Sequence, residues 1–313
     1  YFTNLRSKSN PNPNVHSFDE LSYQTFTGVD RSTDAKKRFR KYMKAVEKNN
    51  DPAALYNLGL MYARGVENAV EQDKEKAAEF YEKAAEQGND KAQFNLALMY
   101  AKGEGVPQDK EKAAELYEKA AEQGNPKAQS NLALMYTRGD GVEKNYQRAI
   151  ELFNQSAEQG DAEAQFNLGL LYNNGEGVPK DKKKAIELFK DAAEKGNNKA
   201  QFNLGVMYHN GVDNILPKDD EKAIEYYAMA AAKGNPEAQF NLGVIYSKGY
   251  PDKVPQNKQK AAQLFTMAAD QGDVDALLNL GTMYSKGEGV PLDKSKTVEL
   301  YEKAAQKNNP KAQ

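Results

Sequence analysis

Histidine and cysteine mark most catalytic and metal sites, and this chain of 313 residues has two of the first and none of the second. His16 and His209 stand far apart, so a His-based triad or a two-His metal site is not expected, and zinc sets that use cysteine are excluded. Both rings are expected in solvent. Gly103-Glu104-Gly105 imitates the start of a dinucleotide fingerprint, but it lacks a third glycine and follows a helical pattern rather than a strand. Neither a Gly-x4-Gly-Lys-Ser/Thr phosphate loop nor a Ser-x-x-Lys motif is present. Acidic residues are plentiful, yet they recur at repeated positions as a solvated face does. No catalytic residue, metal ligand or cofactor is predicted, and the chain is expected not to be an enzyme.

What remains is recognition. Asn57, Asn95, Asn131, Asn167, Asn203, Asn241 and Asn279 recur in one local context. An amide can pair with a backbone N–H and C=O together, so a ladder of them suits an extended peptide. The preceding position holds Tyr56, Phe94, Ser130, Phe166, Phe202, Phe240 and Leu278, and four residues on stand Leu60, Leu98, Leu134, Leu170, Val206, Val244 and Thr282. These could supply side-chain pockets. Arg64, Lys102 and Arg138, with Lys91 and Lys127, form a basic cluster suited to an acidic segment or a C-terminal carboxylate. Each feature has a packing alternative: amides bonded between helices, aromatics packed between units, and cations that complement helix dipoles. The dipole accounts for Arg64, Lys102 and Arg138 but not for Lys91 and Lys127.

The elements that must carry these residues are set by an internal repeat. The seven asparagines are spaced by 38, 36, 36, 36, 38 and 38 residues, a period that means stacked supersecondary units. Each unit holds two helical patterns. In the second unit Ala92, Leu96, Met99 and Tyr100 share one face, and Ala113, Leu116, Tyr117, Ala120 and Ala121 share another. Gly65, Gly103, Gly139, Gly175, Gly211, Gly249 and Gly287 close the first helices. The loops after Gly65, Gly211 and Gly249 lack a second glycine and are two residues longer. Gly88, Gly124, Gly160, Gly196, Gly234 and Gly272 join unit to unit, each followed by an Asn or Asp able to cap the next helix.

At these residues the chain resembles a known family. Leu58, Gly59 and Tyr62, with Ala77 and Tyr81 after them, carry the tetratricopeptide signature. The longer period and the Gly-Glu-Gly-Val-Pro loops resemble its relative, the Sel1-like repeat (SLR) family. The resemblance implies an all-α, right-handed α/α superhelix of about seven helix pairs, with the first helices on a concave side. It also implies a non-enzymatic scaffold or adaptor that holds a protein or extended peptide in that groove. A regulator or inhibitor that occludes a partner's site is the alternative, and a hydrolase the distant one.

Composition narrows the partner. A net charge of −2 with 28% charged residues gives no global field for nucleic acid or an anionic membrane. No apolar run approaches the ~18 residues of a membrane-spanning helix. The expected partner is a protein or extended peptide, with an acidic one suited to the basic cluster. The absence of cysteine leaves the redox compartment open. No signal peptide is recognisable and the chain starts at Tyr1 without Met, so a leader could have been removed and an exported location is favoured.

Residues 1–34 stay outside the period. Ser7, Ser9, Asn10, Pro11, Asn12, Pro13 and Asn14 describe a flexible arm, while Phe18, Leu21, Tyr23, Phe26 and Val29 are apolar enough to dock on the array's end or in its groove. The array proper spans 35–313: a half-pair at 35–50, seven pairs over 51–308, and a stub at 309–313. The half-pair is expected to cap the array or to offer a basic docking site. The stub copies the opening of a first helix, as a piece of a longer protein or a terminal cap would.

Overall fold

The computed structural model describes residues 32–308 apart from 68, 251 and 252. The arm with His16 and its apolar residues, and the C-terminal stub, lie outside the described residues. The described part is all-α, fifteen helices in which short first and second helices alternate after a leading helix α1 (Ser32–Asn49). Two compact units divide between residues 164 and 165. The N-terminal unit contains the first helices α2 (Pro52–Arg64), α4 (Asp90–Lys102) and α6 (Pro126–Arg138). Its second helices are α3 (Lys74–Glu86), α5 (Lys110–Glu122) and α7 (Tyr146–Glu158). The boundary falls in α8 (Ala162–Asn174). The C-terminal unit continues with α9 (Lys182–Glu194), α10 (Asn198–Asn210), α11 (Asp220–Ala232), α12 (Pro236–Lys248), α13 (Lys258–Asp270), α14 (Val274–Lys286) and α15 (Lys294–Asn308).

Each helix after α1 starts where the sequence supplies a cap. The Asn or Asp after the joining glycine accepts the N–H three residues on, as Asn89 does from Ala92 at 2.9 Å and Asn125 from Ala128 at 3.1 Å. The second helices use the same device with Asp73, Asp109, Asn145, Asp181, Asp219, Asn257 and Asp293. Each cap is worth about 1 kcal/mol. Short helices of this kind are marginal alone, so packing must supply the rest.

The packing is aromatic on small. Tyr81, Tyr117 and Phe153 of the N-terminal unit, and Phe189, Tyr227 and Phe265 of the C-terminal one, are fully buried among rows of alanine such as Ala77, Ala113 and Ala120. Glycine lets the rings in. A Cβ on Gly59 would stand 2.6 Å from the Tyr81 ring.

Loop length selects the geometry of the closing glycine. Gly103, Gly139 and Gly287 of short loops adopt the left-handed helical conformation. Gly65, Gly211 and Gly249 of the longer loops instead have positive φ with ψ near 160° (156°, 164° and 167°), a region open essentially to glycine. Their extra residues form small antiparallel bridges, Val66 with Val70, Val212 with Leu216 and Tyr250 with Val254. The residue between the paired glycines of a short loop reaches the start of the preceding unit's second helix. Lys74 meets Glu104 at 2.8 Å, Lys110 meets Asp140 at 2.8 Å and Lys258 meets Glu288 at 3.2 Å.

Candidate partner-binding surface

In the N-terminal unit three stripes run along the first helices at i, i+4, i+8 spacing: Tyr56–Leu60–Arg64, Phe94–Leu98–Lys102 and Ser130–Leu134–Arg138. Asparagine follows the head of each stripe. Tyr56 and Phe94 lie on the ring of their own unit's second helix, Tyr56 on Tyr81 at 6.0 Å and Phe94 on Tyr117 at 5.7 Å between centroids. The same contact holds Phe166 on Phe189, Phe202 on Tyr227 and Phe240 on Phe265 in the C-terminal unit. Phe94, Phe166, Phe202 and Phe240 are buried. Of the two readings of these aromatics, packing and pockets, the ring contacts fit packing: they sit between helices, because a first-helix aromatic and a second-helix ring share one inward face.

The asparagine ladder is not evenly open. Asn95, Asn167, Asn203 and Asn241 are buried, Asn57 and Asn131 half-buried, and Asn279 exposed. Asn131 donates to the Tyr117 hydroxyl at 3.1 Å, while the buried Tyr227 hydroxyl has no hydrogen-bond partner. Burial pushes the phenols of Tyr56, Tyr117 and Tyr227 up, and at Tyr117 the Asn131 amide partly opposes it. Asn57 and Asn279 turn back on their own helices, donating to the Ala53 and Asp275 carbonyls at 2.7 Å each. The Asn167 Nδ2 is buried without a hydrogen-bond partner.

The basic cluster resolves into two rows. Lys91 and Lys102 lie near opposite ends of α4, and Lys127 and Arg138 near opposite ends of α6. Eleven residues at 1.5 Å rise separate each pair by about 16 Å. One carboxylate cannot engage both rows. Arg64, Lys102 and Arg138 are half-buried at the C-terminal ends, while Lys91 is exposed and Lys127 half-buried at the N-terminal ends. Arg138 differs from its row-mates. Its Nε and Nη2 are buried with no hydrogen-bond partner, and that burial pulls the guanidinium down, with Asp140 opposing.

Two repeated devices and one single cluster escape a reading for ligands. Gln93, Gln129, Gln201 and Gln239 are buried and donate to carbonyls of the preceding second helix. Lys76, Lys112, Lys184, Lys222 and Lys260 lie 4.1 to 5.6 Å over Tyr62, Tyr100, Tyr172, Tyr208 and Tyr246. Their signal was recurrence three residues after each capping Asp or Asn. The single cluster joins three side chains: His209 Nδ1 and Asp220 Oδ1 are 2.8 Å apart, and the Tyr250 hydroxyl donates to Asp220 Oδ2 at 2.6 Å. His209 is thus not solvated as expected, its side chain being 13% exposed. Among the described residues no group of three or more His, Cys, Asp or Glu is placed to hold a metal ion. No described helix is long and apolar enough to cross a membrane.

The Sel1 repeat model matches the chain seven times, over residues 52–89, 90–125, 126–161, 162–197, 198–235, 236–273 and 274–309. The chain belongs to the Sel1 repeat family. Its repeat boundaries fall at the joining glycines and pair one first helix with one second helix. Among solved structures it is similar to a Sel1 repeat protein from Oxalobacter formigenes, at 33% identity and a TM-score of 0.69, over 91% of this chain and 81% of that one. It is also similar to a protective antigen of uropathogenic Escherichia coli that displays an SLR fold, at 31% identity and a TM-score of 0.53, over 90% of this chain and 70% of that one. Yeast Tom70, at 17% identity and a TM-score of 0.51, over 88% of this chain and 55% of that one, shares the fold alone. No curated protein matches the chain.

Proposed function

We propose that this Sel1 repeat protein is a non-enzymatic interaction scaffold that holds a protein partner, or an extended segment of one, on the first-helix face of its N-terminal unit. One observation carries the reading: Arg64, Lys102 and Arg138 end successive first helices as a row of half-buried cations. Ion pairs hold Lys74 and Lys110 at the loops, and rings hold Lys76 and Lys112, whereas in this row the Nε and Nη2 of Arg138 have no hydrogen-bond partner. The family and the all-α neighbours support a role in binding over one in catalysis. Most of the asparagines and aromatics expected to touch a partner serve as walls behind this surface.

The test uses the whole chain as bait, followed by cross-linking and mass spectrometry of the captured complex. Cross-links are expected at Lys102 and Lys127 rather than at Lys119 of the second helix α5. Joint replacement of Arg64, Lys102 and Arg138 by Ala is expected to lower capture without lowering the melting temperature. Cross-links confined to second helices or loops would overturn the assignment.

A further inference from the structure

Arg138 ends the one first helix of the N-terminal unit whose stripe does not begin with an aromatic residue. Ser130 stands where Tyr56 and Phe94 stand, and no ring is available to lie on Phe153. The surface opens accordingly. Ser130 itself is buried, and beyond it Leu134 is half-buried where Leu60 and Leu98 are buried. At the end of this opened stripe the Nε and Nη2 of Arg138 have no hydrogen-bond partner. Those two N–H groups are the edge that grips a carboxylate through parallel hydrogen bonds. Asp140 is the acid whose charge acts on Arg138, and Lys110 already holds it at 2.8 Å. These two donors are buried, but Arg138 as a whole is only half-buried and its side chain is long, so an incoming carboxylate can draw the head outward and satisfy both.

The neighbouring helices set the shape of the ligand. Asn125 Nδ2, donating to Asp90 at 2.9 Å, ties the cap of α6 to the start of α4. Packed helices stand roughly 10 Å apart, and a peptide in the extended polyproline II conformation has three residues per turn and advances about 3.1 Å per residue. Every third side chain of such a peptide falls on one face, about 9 Å from the last, a spacing that suits the row Arg64, Lys102, Arg138.

Resting on the partner-surface reading, we propose that the Ser130–Arg138 stripe is an acidic-peptide subsite: an extended segment crosses α2, α4 and α6 and sets an Asp or Glu side-chain carboxylate on the Nε–Nη2 edge of Arg138.

Fluorescence anisotropy with the full chain tests this. The probe is a labelled, C-terminally amidated peptide of about ten residues with Glu at every third position, set against the same peptide with Gln and a Gln peptide with a free C-terminal carboxylate. The Glu peptide is expected to bind and both Gln peptides to bind at least about ten-fold more weakly, the loss of one charged hydrogen-bond pair. Arg138→Gln is expected to weaken the Glu peptide by a similar factor with no fall in melting temperature. Arg138→Lys should recover only part of the affinity, because an ammonium cannot make the paired contact. Equal binding of Glu and Gln peptides, an unchanged affinity in Arg138→Gln, or binding restored by the C-terminal carboxylate alone overturns the proposal. Cross-links on α2, α4 and α6 with full affinity in Arg138→Gln would sink the subsite and spare the surface. Affinity lost in Arg138→Gln, with a captured partner cross-linked elsewhere, would keep the subsite and remove the surface.

Discussion

Gln123 Nε2 donates to Gln93 Oε1 at 2.7 Å, and Gln93 in turn donates to the Ala85 carbonyl at 3.2 Å. One buried side chain thereby ties the second helix before it to the second helix after it. Gln129 does the same between Ala121 and Gln159, and Gln239 between Ala231 and Gln271. The relay breaks where lysine replaces the outer glutamine. Lys233 occupies that place in the fifth repeat, and Gln201 Oε1 is buried with no hydrogen-bond partner.

Lys233→Gln should therefore stabilise the C-terminal unit. The backbone at Lys233 matches that at Gln123, with φ and ψ of −89° and 8° against −81° and 3°, so the amide can take the same course. One restored hydrogen bond to a buried acceptor is worth about 1 kcal/mol. Urea denaturation is expected to show a higher midpoint at unchanged slope. A midpoint at or below that of the parent chain would mean the relay does not contribute.

The repeat, its two helices and their glycine and Asn/Asp punctuation are legible in the sequence because a fixed period forces each residue type to reappear where geometry needs it. The facing of repeated polar residues is not legible. Asn95 and Gln93 recur with the same regularity whether they point to a ligand or to a neighbouring helix, and for Gln93 the buried bond to the Ala85 carbonyl decides it. Partners thirty residues apart, such as Gln93 and Gln123, share no local pattern. His209 and Asp220 meet only because an Asp opens α11 where lysine opens α3, α5, α9 and α13. The half-open stripe at Ser130 was visible as a missing aromatic, but the enclosed edge of Arg138 required coordinates.

Glycines of similar φ should differ sharply in their tolerance of alanine. A Cβ on Gly105 would stand 2.4 Å from the Lys74 carbonyl oxygen, whereas one on Gly88 meets nothing within 4 Å. Gly88→Ala bears only the strain of left-handed backbone, about 1 to 2 kcal/mol. Gly105→Ala adds a backbone clash that forces the loop off α3, and a loss of about 3 kcal/mol or more is expected. Equal melting temperatures for the two variants would refute this loop contact.

The Tyr250–Asp220–His209 cluster gives the C-terminal unit a pH signature. Burial raises the Asp220 carboxyl, but the Tyr250 hydroxyl, the His209 ring and Lys218 outweigh it and leave it below the usual range. A depressed carboxylate contributes stability above its unfolded value of about 4 and loses it as pH falls through the folded value. The Tyr250 phenol is pushed up to about 12, mainly by its bond to Asp220, so its contribution holds below about 10 and fades as pH rises through 12. Tyr250→Phe should lower stability by about 1.5 to 3 kcal/mol near pH 7, the worth of a hydrogen bond to a charged group. The gap to the parent chain should narrow toward both pH limits. A gap independent of pH would assign the loss to packing.

The asparagine ladder should rank by burial rather than by position in a groove. Asn241 is 0% exposed, so Asn241→Ala removes a fully buried amide and leaves its polar neighbours without it. That costs about 1 to 3 kcal/mol. Asn131→Ala removes one bond, 3.1 Å to Tyr117, from a half-buried site and should cost less. Asn279→Ala only frees a helix carbonyl in an exposed place, and alanine's helix preference should offset that within about 0.5 kcal/mol. Denaturation midpoints in the order Asn241, Asn131, Asn279 are expected, with Asn241→Ala lowest. If all three melt together while partner capture falls in each, the amides act on the partner and the ladder is a binding surface after all.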